Sequence, residues 1–170
     1  MTDTSTPKSP WLFLVVLIVA ELTSAFEASM IYSALSELHR IYGDPVRVGW
    51  LVTAFLLVSA AAAAICGRLG DIYGRRTILL WMLMFSALGS MISYFSTNLD
   101  WIIFGRAVQG MSAAILPLCF GLVRECMPKE KIPFAVGVIA GTAVTGGALG
   151  YMAGGVIVDY LPWHTMFLFA

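Results

Sequence analysis

The stretch Gly67-Arg68-Leu69-Gly70-Asp71-Ile72-Tyr73-Gly74-Arg75-Arg76-Thr77 places three arginines and one aspartate where two uncharged blocks meet, residues 48–67 and 77–99. That contrast decides how the rest of the chain reads. Two more uncharged blocks follow at residues 107–123 and 132–158, and an apolar run at 11–20 comes first. A helix crossing a bilayer needs about 20 mainly apolar residues. Helices are the only open-chain way to satisfy backbone polar groups in hydrocarbon, and the alternating ten-residue pattern of membrane β-strands is missing. The expected fold is an all-α polytopic membrane protein. Its helices are expected at about 11–35, 48–66, 78–95, 101–123 and 132–158, with the start of a sixth at 163–170 and a polar cytoplasmic tail at 1–10. A sixth span that stops after eight residues suggests one portion of a longer protein.

Composition agrees. Of 170 residues, 59% are apolar and 12% charged, where soluble domains are about a quarter charged. This excludes a disordered chain, a nucleic-acid binder and an ordinary soluble enzyme. Ten basic residues balance ten acidic ones, so no net charge asks for an anionic partner. The three cysteines, Cys66, Cys119 and Cys126, form no Cys-x-x-Cys set and read as small hydrophobes. His39 and His164 stand far apart. Neither a metal set, a nucleophile–base pair nor a phosphate loop is recognisable, so no cofactor and no enzymatic activity are expected.

Orientation follows from the basic residues of the short loops. Lys8, Arg68, Arg75, Arg76, Arg124, Lys129 and Lys131 fall on one side, against only Arg40 and Arg47 on the other. The N-terminus is therefore expected in the cytoplasm, and the chain in the cell membrane.

Within the opening stretch, Asp71 and Arg75 are four apart and can pair at a helix end, while the glycines allow a tight turn. The stretch resembles the signature loop of the major facilitator superfamily, Gly-x-Leu-(Gly/Ala)-Asp-(Arg/Lys)-x-Gly-(Arg/Lys)-(Arg/Lys), departing only at Ile72. The resemblance implies an N-terminal half of a major facilitator-type bundle. It gives Gly67, Asp71, Gly74, Arg75 and Arg76 a latching role at the cytoplasmic gate.

Three more segments carry the likeness. Arg106-Ala107-Val108-Gln109-Gly110 lies inside the fourth span. A lone arginine there costs about 3 kcal/mol on insertion scales, so it should face a cavity or a carboxylate. Arg-x-x-Gln-Gly resembles the family's fourth-helix motif, linked there to proton coupling. Residues Glu27–Leu38 resemble the first-helix motif of the drug/proton antiporter branch, with Glu27 for Asp, Ser29 for Thr and Ser36 for Pro. At 1.5 Å per residue Glu27 and Arg106 lie at matching depth, about 6 and 8 Å from the outer edge of the hydrocarbon, with Glu21 near the midplane. The resemblance implies that the first and fourth helices both line the central cavity, which makes pairing of Glu27 with Arg106 plausible, and such a carboxylate could take up and release a proton. Glu21, Glu27 and Arg106 are thus the proton-coupling candidates.

In the fifth span Gly146, Gly150 and Gly154 form a ridge for close helix approach, with its partner expected in the half of the protein beyond this chain. With Gly137 and Gly155 they resemble the antiporter motif Gly-x8-Gly-x3-Gly-Pro-x2-Gly-Gly, with Tyr151 in place of the proline.

The resemblance implies proton-coupled efflux of small molecules. The expected partners are substrate and protons, the lipid bilayer and the C-terminal half of the transporter, with no nucleic acid. A uniporter or symporter of sugars or metabolites, and a non-transporting membrane module, remain alternatives. For the topology, single cysteines at Thr77 and Lys129 in a cysteine-free background should resist impermeant thiol reagents in intact cells. Rapid external labelling at both positions would reverse the orientation.

Overall fold

The computed structural model describes residues 9–169. Expectations for Met1–Lys8, including Lys8 as a topological charge, and for Ala170 lie outside the described residues. The regular elements are helices: α1 (Pro10–Tyr42), α2 (Pro45–Tyr73), α3 (Arg75–Phe95), α4 (Leu99–Gln109), α5 (Ile115–Cys126), α6 (Ile132–Tyr160) and a short α7 (Met166–Phe169). Among the described residues there is no strand. Among the described residues five segments are long and apolar enough to cross a membrane, α4 and α5 together forming one of them.

Local chemistry sets the helix ends, and it sets them beyond the apolar blocks. Ser9 caps α1 and Pro10 opens it. The helix does not stop near 35. It runs to Gly43, whose φ of +66° closes it through an N–H donated to the His39 carbonyl. Asp44 then caps α2, accepting from the Val46 and Arg47 N–H groups at 3.1 Å, with Pro45 in the first turn. The expected loop at 67–77 is also mostly helix: α2 continues through Tyr73, and Gly74, at φ +90°, is the single residue between α2 and α3. Apolar runs mark where hydrocarbon begins, whereas a helix continues until its backbone is capped.

The fourth span has an irregular middle. Residues Gly110–Ala114 wind as a 3₁₀ turn between α4 and α5. Two serines from other helices bond carbonyls in this turn: Ser59 donates to Gly110 O and Ser24 to Ser112 O, both at 3.1 Å. Irregular backbone at this depth is stable because neighbouring helices supply such donors.

Glycines set the closest helix contacts. A Cβ at Gly146, Gly150 or Gly154 would stand 2.9, 2.4 or 2.6 Å from the carbonyl oxygens of Leu22, Phe26 and Met30. The ridge on α6 therefore packs on α1 of the same chain, which corrects the expectation of a partner beyond it. A Cβ at Gly137 or Gly155 would meet nothing within 4 Å, so neither sets the distance of this contact. Tyr151, at the proline position, leaves α6 unbroken. Its carbonyl accepts from Ser33 Oγ at 2.8 Å, and its ring stacks on Tyr32 at 5.6 Å. Gly89 on α3 and Gly105 on α4 bring those helices together in the same way, the Gly89 Cβ position lying 2.6 Å from Gly105 O.

Two apolar clusters result. One gathers Leu14, Leu17, Leu79, Leu118 and Val123 toward one end of the bundle. The other gathers Met30, Leu51, Ile102 and Trp163 toward the opposite end. Between them along α1 and the fourth span lie Glu21, Glu27, Arg106 and Gln109, all buried.

The glycine contact makes a prediction within one helix. Gly154→Ala inserts a methyl against backbone and should destabilise the purified protein by about 1–3 kcal/mol. Gly155→Ala meets open space and should be neutral or stabilising by up to about 1 kcal/mol. Thermal unfolding in detergent measures both, and equal effects would mean that the α1–α6 crossing is not this close.

Candidate functional site

The buried polar layer is built by three helices. Glu27 on α1 is 1% exposed, Arg106 on α4 is 1% exposed and Gln109 is fully buried. From α3, Ser86 and Ser90 enter the layer on one helix face, four residues apart. Ser86 Oγ donates to Glu27 Oε2. Ser90 Oγ donates to the Ser86 carbonyl at 3.1 Å and accepts from Gln109 Nε2 at 2.7 Å. Gln109 Oε1 accepts from Arg106 Nη1 at 2.9 Å. The guanidinium also lies over the Phe55 ring of α2, 4.3 Å from its centroid, a favourable contact for a desolvated cation.

Glu27 and Arg106 thus share one layer but are joined through α3. Among the described residues the ion pairs lie elsewhere. Carboxylate and guanidinium each keep one buried atom without a hydrogen-bond partner, Glu27 Oε1 and Arg106 Nε. Such atoms cost several kcal/mol in a low-dielectric setting unless something else meets them. The arrangement therefore places a carboxyl group and a guanidinium in one buried layer, each with an unpartnered atom. Glu21 is buried apart from this chain, with Oε2 unpartnered. It lies between two α1 contacts to the fourth span: the Cys119 thiol directed at Leu17 O at 3.9 Å and Ser24 on Ser112 O.

The second constellation sits at the α2–α3 junction. Arg75 donates to Asp71 from Nη2 at 2.8 Å and from Nε at 3.2 Å, spanning the Gly74 break. Its Nε also lies 3.3 Å from Glu125 Oε1 at the end of α5. The guanidinium crosses α5 where Gly121 leaves room: a Cβ there would be 2.2 Å from Arg75 Nη1. Three helices are therefore tied by one arginine held between two carboxylates. Gly70 packs against Arg75 and Leu118, each 3.0 Å from its Cβ position. A Cβ at Gly67 would meet nothing within 4 Å, and Arg76 is exposed on another side of α3.

Ser86, Ser90, Gly121 and Glu125 were not singled out from the sequence, though some left a trace. Serines at 86, 90 and 93 repeat along one face of an otherwise apolar span. Glu125 is an acid in the last turn of α5, where the helix dipole disfavours it unless a cation is near.

The family model of the Major Facilitator Superfamily matches residues 17–170. The uncharacterized MFS-type transporter YvkA of Bacillus subtilis is 30% identical over 162 residues, covering 94% of this chain and 36% of that protein. Multidrug resistance protein 3 of the same organism is 28% identical, over 97% of this chain and 33% of its own length. The probable multidrug resistance protein EmrY of Escherichia coli is 30% identical, over 93% and 31%. The chain spans about a third of the length of these curated relatives. With five helices able to span a membrane, the arginine-held junction of α2 and α3 and a family match over nearly its whole length, the chain belongs to the Major Facilitator Superfamily.

Proposed function

We propose that this chain supplies the first helices of a proton-coupled efflux transporter for small molecules, set in the cell membrane with its N-terminus in the cytoplasm. The observation that carries the reading is the buried chain Glu27–Ser86–Ser90–Gln109–Arg106 across α1, α3 and α4. Ionisable groups inside a membrane bundle are expensive to keep and mark ion pathways or proton relays. The multidrug resistance names of two relatives support efflux as its direction.

In this reading Glu27 is the proton acceptor. Ser86 holds one carboxylate oxygen, and the unpartnered Oε1 is where the proton adds. Protonation removes the negative charge that balances Arg106, while Gln109 and Phe55 keep the guanidinium in place. The layer's electrostatics thus differ between the two protonation states, which is the requirement for a proton to bias a conformational equilibrium. The Asp71–Arg75–Glu125 cluster holds α2, α3 and α5 together at the cytoplasmic end in one of the alternating states. Glu21 is a second candidate acid on the same helix.

Two outcomes follow for the complete transporter that contains this chain. Glu27→Gln should abolish uphill transport driven by a proton gradient while substrate binding survives, and wild-type uphill transport in reconstituted vesicles would remove Glu27 from the coupling role. Asp71→Asn and Glu125→Gln should each slow turnover several-fold at unchanged membrane insertion. The double variant should be little worse than either single one, because both act through Arg75. Strictly multiplicative losses would show that the two carboxylates act independently.

A further inference from the structure

The turn that joins α4 to α5 stands between the two polar constellations. Gln109, which bonds Arg106, precedes Gly110–Ala114, and α5, which brings Gly121 and Glu125 to Arg75, follows it. The turn is held from three sides. Ser59 of α2 and Ser24 of α1 bond its carbonyls at Gly110 and Ser112. Pro117, in the first turn of α5, has no N–H for the Ala113 carbonyl, the bond that a continuous α-helix would make there. One group is left over: the Ser112 side chain is fully buried and its Oγ has no hydrogen-bond partner. In an α-helix such a hydroxyl reaches the carbonyl four residues back, here that of Val108.

We propose that Gly110–Ala114 is a winding joint: a 3₁₀ turn while Arg75 is held against Glu125, rewound toward α-helix when that contact opens. Helix geometry gives the consequence. A 3₁₀ residue advances about 2.0 Å and about 120°, an α residue about 1.5 Å and about 100°. Over the five residues of the turn the difference is about 2.5 Å and about 100°. That angle is one α-helical residue, so rewinding steps α5 by one place relative to α4. Leu122 then faces where Gly121 faces now, and Phe120 where Cys119 faces now, each within about 1 Å of the same level. At Gly121 even a Cβ would stand 2.2 Å from Arg75 Nη1, so a leucine there closes the path by which Arg75 reaches Glu125. The closed latch and the α-wound turn therefore exclude each other, which makes the joint a two-state element and not a continuous bend. The fixed side is α4, packed on α3 at Gly89 and Gly105 and anchored by Arg106. Side chains in the turn are small except for Met111, so they pass α1 and α2 without displacing bulk. The proposal rests on the latch role of Arg75 and Glu125, and on neither proton coupling nor efflux.

Disulfide trapping in the complete transporter that contains this chain reads the winding directly, with every other cysteine replaced. Cys119 is fully buried with its thiol directed at Leu17 O at 3.9 Å, so Leu17→Cys should form a disulfide with Cys119 in the present winding. Leu17→Cys with Phe120→Cys, and Cys119→Ala, should oxidise only after the step. Pro117→Ala, which supplies the missing N–H, should lower the first yield and raise the second several-fold. Ser24→Ala combined with Ser59→Ala should act the same way, and so should Glu125→Gln. Yields unchanged by Pro117→Ala, or rising together at both pairs, overturn the joint. A shift with Pro117→Ala but none with Glu125→Gln overturns its tie to the latch. Turnover of Glu125→Gln reports the latch itself, so slowed turnover without any shift in the two yields separates failure of the joint from failure of the latch.

Discussion

A guanidinium that cannot reach water organises this bundle. Arg106 is 1% exposed in a helix that crosses hydrocarbon, and an uncompensated charge there would cost several kcal/mol. Its surroundings answer that cost from three directions. Gln109 accepts from it one turn along α4, Phe55 offers a ring face from α2, and Glu27 supplies the opposite charge across the Ser86–Ser90 bridge of α3. Two of the three answers require a neighbouring helix at a fixed distance, and Gln109 is itself held by Ser90 of α3, so the position of α4 relative to α1, α2 and α3 is tied to satisfying one side chain.

The glycine contacts make those distances possible. Lipid offers helices little hydrophobic reason to associate, so close backbone approach and buried hydrogen bonds must hold them. Gly89 and Gly105 bring α3 against α4 beside the polar layer, and Gly110 lets the 3₁₀ turn approach Phe55, its Cβ position lying 2.5 Å from the Phe55 carbonyl oxygen. The same turn places its carbonyls within reach of Ser24 and Ser59. Packing and polar satisfaction are therefore one problem in this fold. At the other constellation the same logic recurs on a smaller scale, where Gly121 clears the path by which Arg75 reaches Glu125.

Much of this was legible in the residues. Uncharged blocks located the five spans because the bilayer imposes a composition on whatever crosses it. The ends of α1 and α2 were placed short because Gly43, Asp44 and Gly74, not loss of apolarity, terminate the helices. Glu27 and Arg106 stood out because charge inside a span is rare. Their connection did not, since Ser86 and Ser90 are chemically unremarkable until α3 is seen to pass between α1 and α4. The glycines of α6 announced close packing but not the partner, because a small-residue ridge specifies a distance and not which helix comes near. The 3₁₀ turn at Gly110–Ala114 had no local signature beyond one glycine. It is held by serines from distant parts of the chain.

The central claim is that Glu27 is coupled through α3 to Gln109, the amide that holds Arg106, and not by direct contact. A double-mutant cycle measures this, with Glu27→Gln and Gln109→Leu combined and thermal unfolding of the detergent-purified protein as the readout. The two side chains do not bond each other, so independent sites would give additive losses within about 0.5 kcal/mol. The connected chain predicts instead an interaction energy of about 1 kcal/mol or more between them, abolished when Ser90→Ala removes the bridge. Strict additivity in the presence of Ser90 would contradict the account.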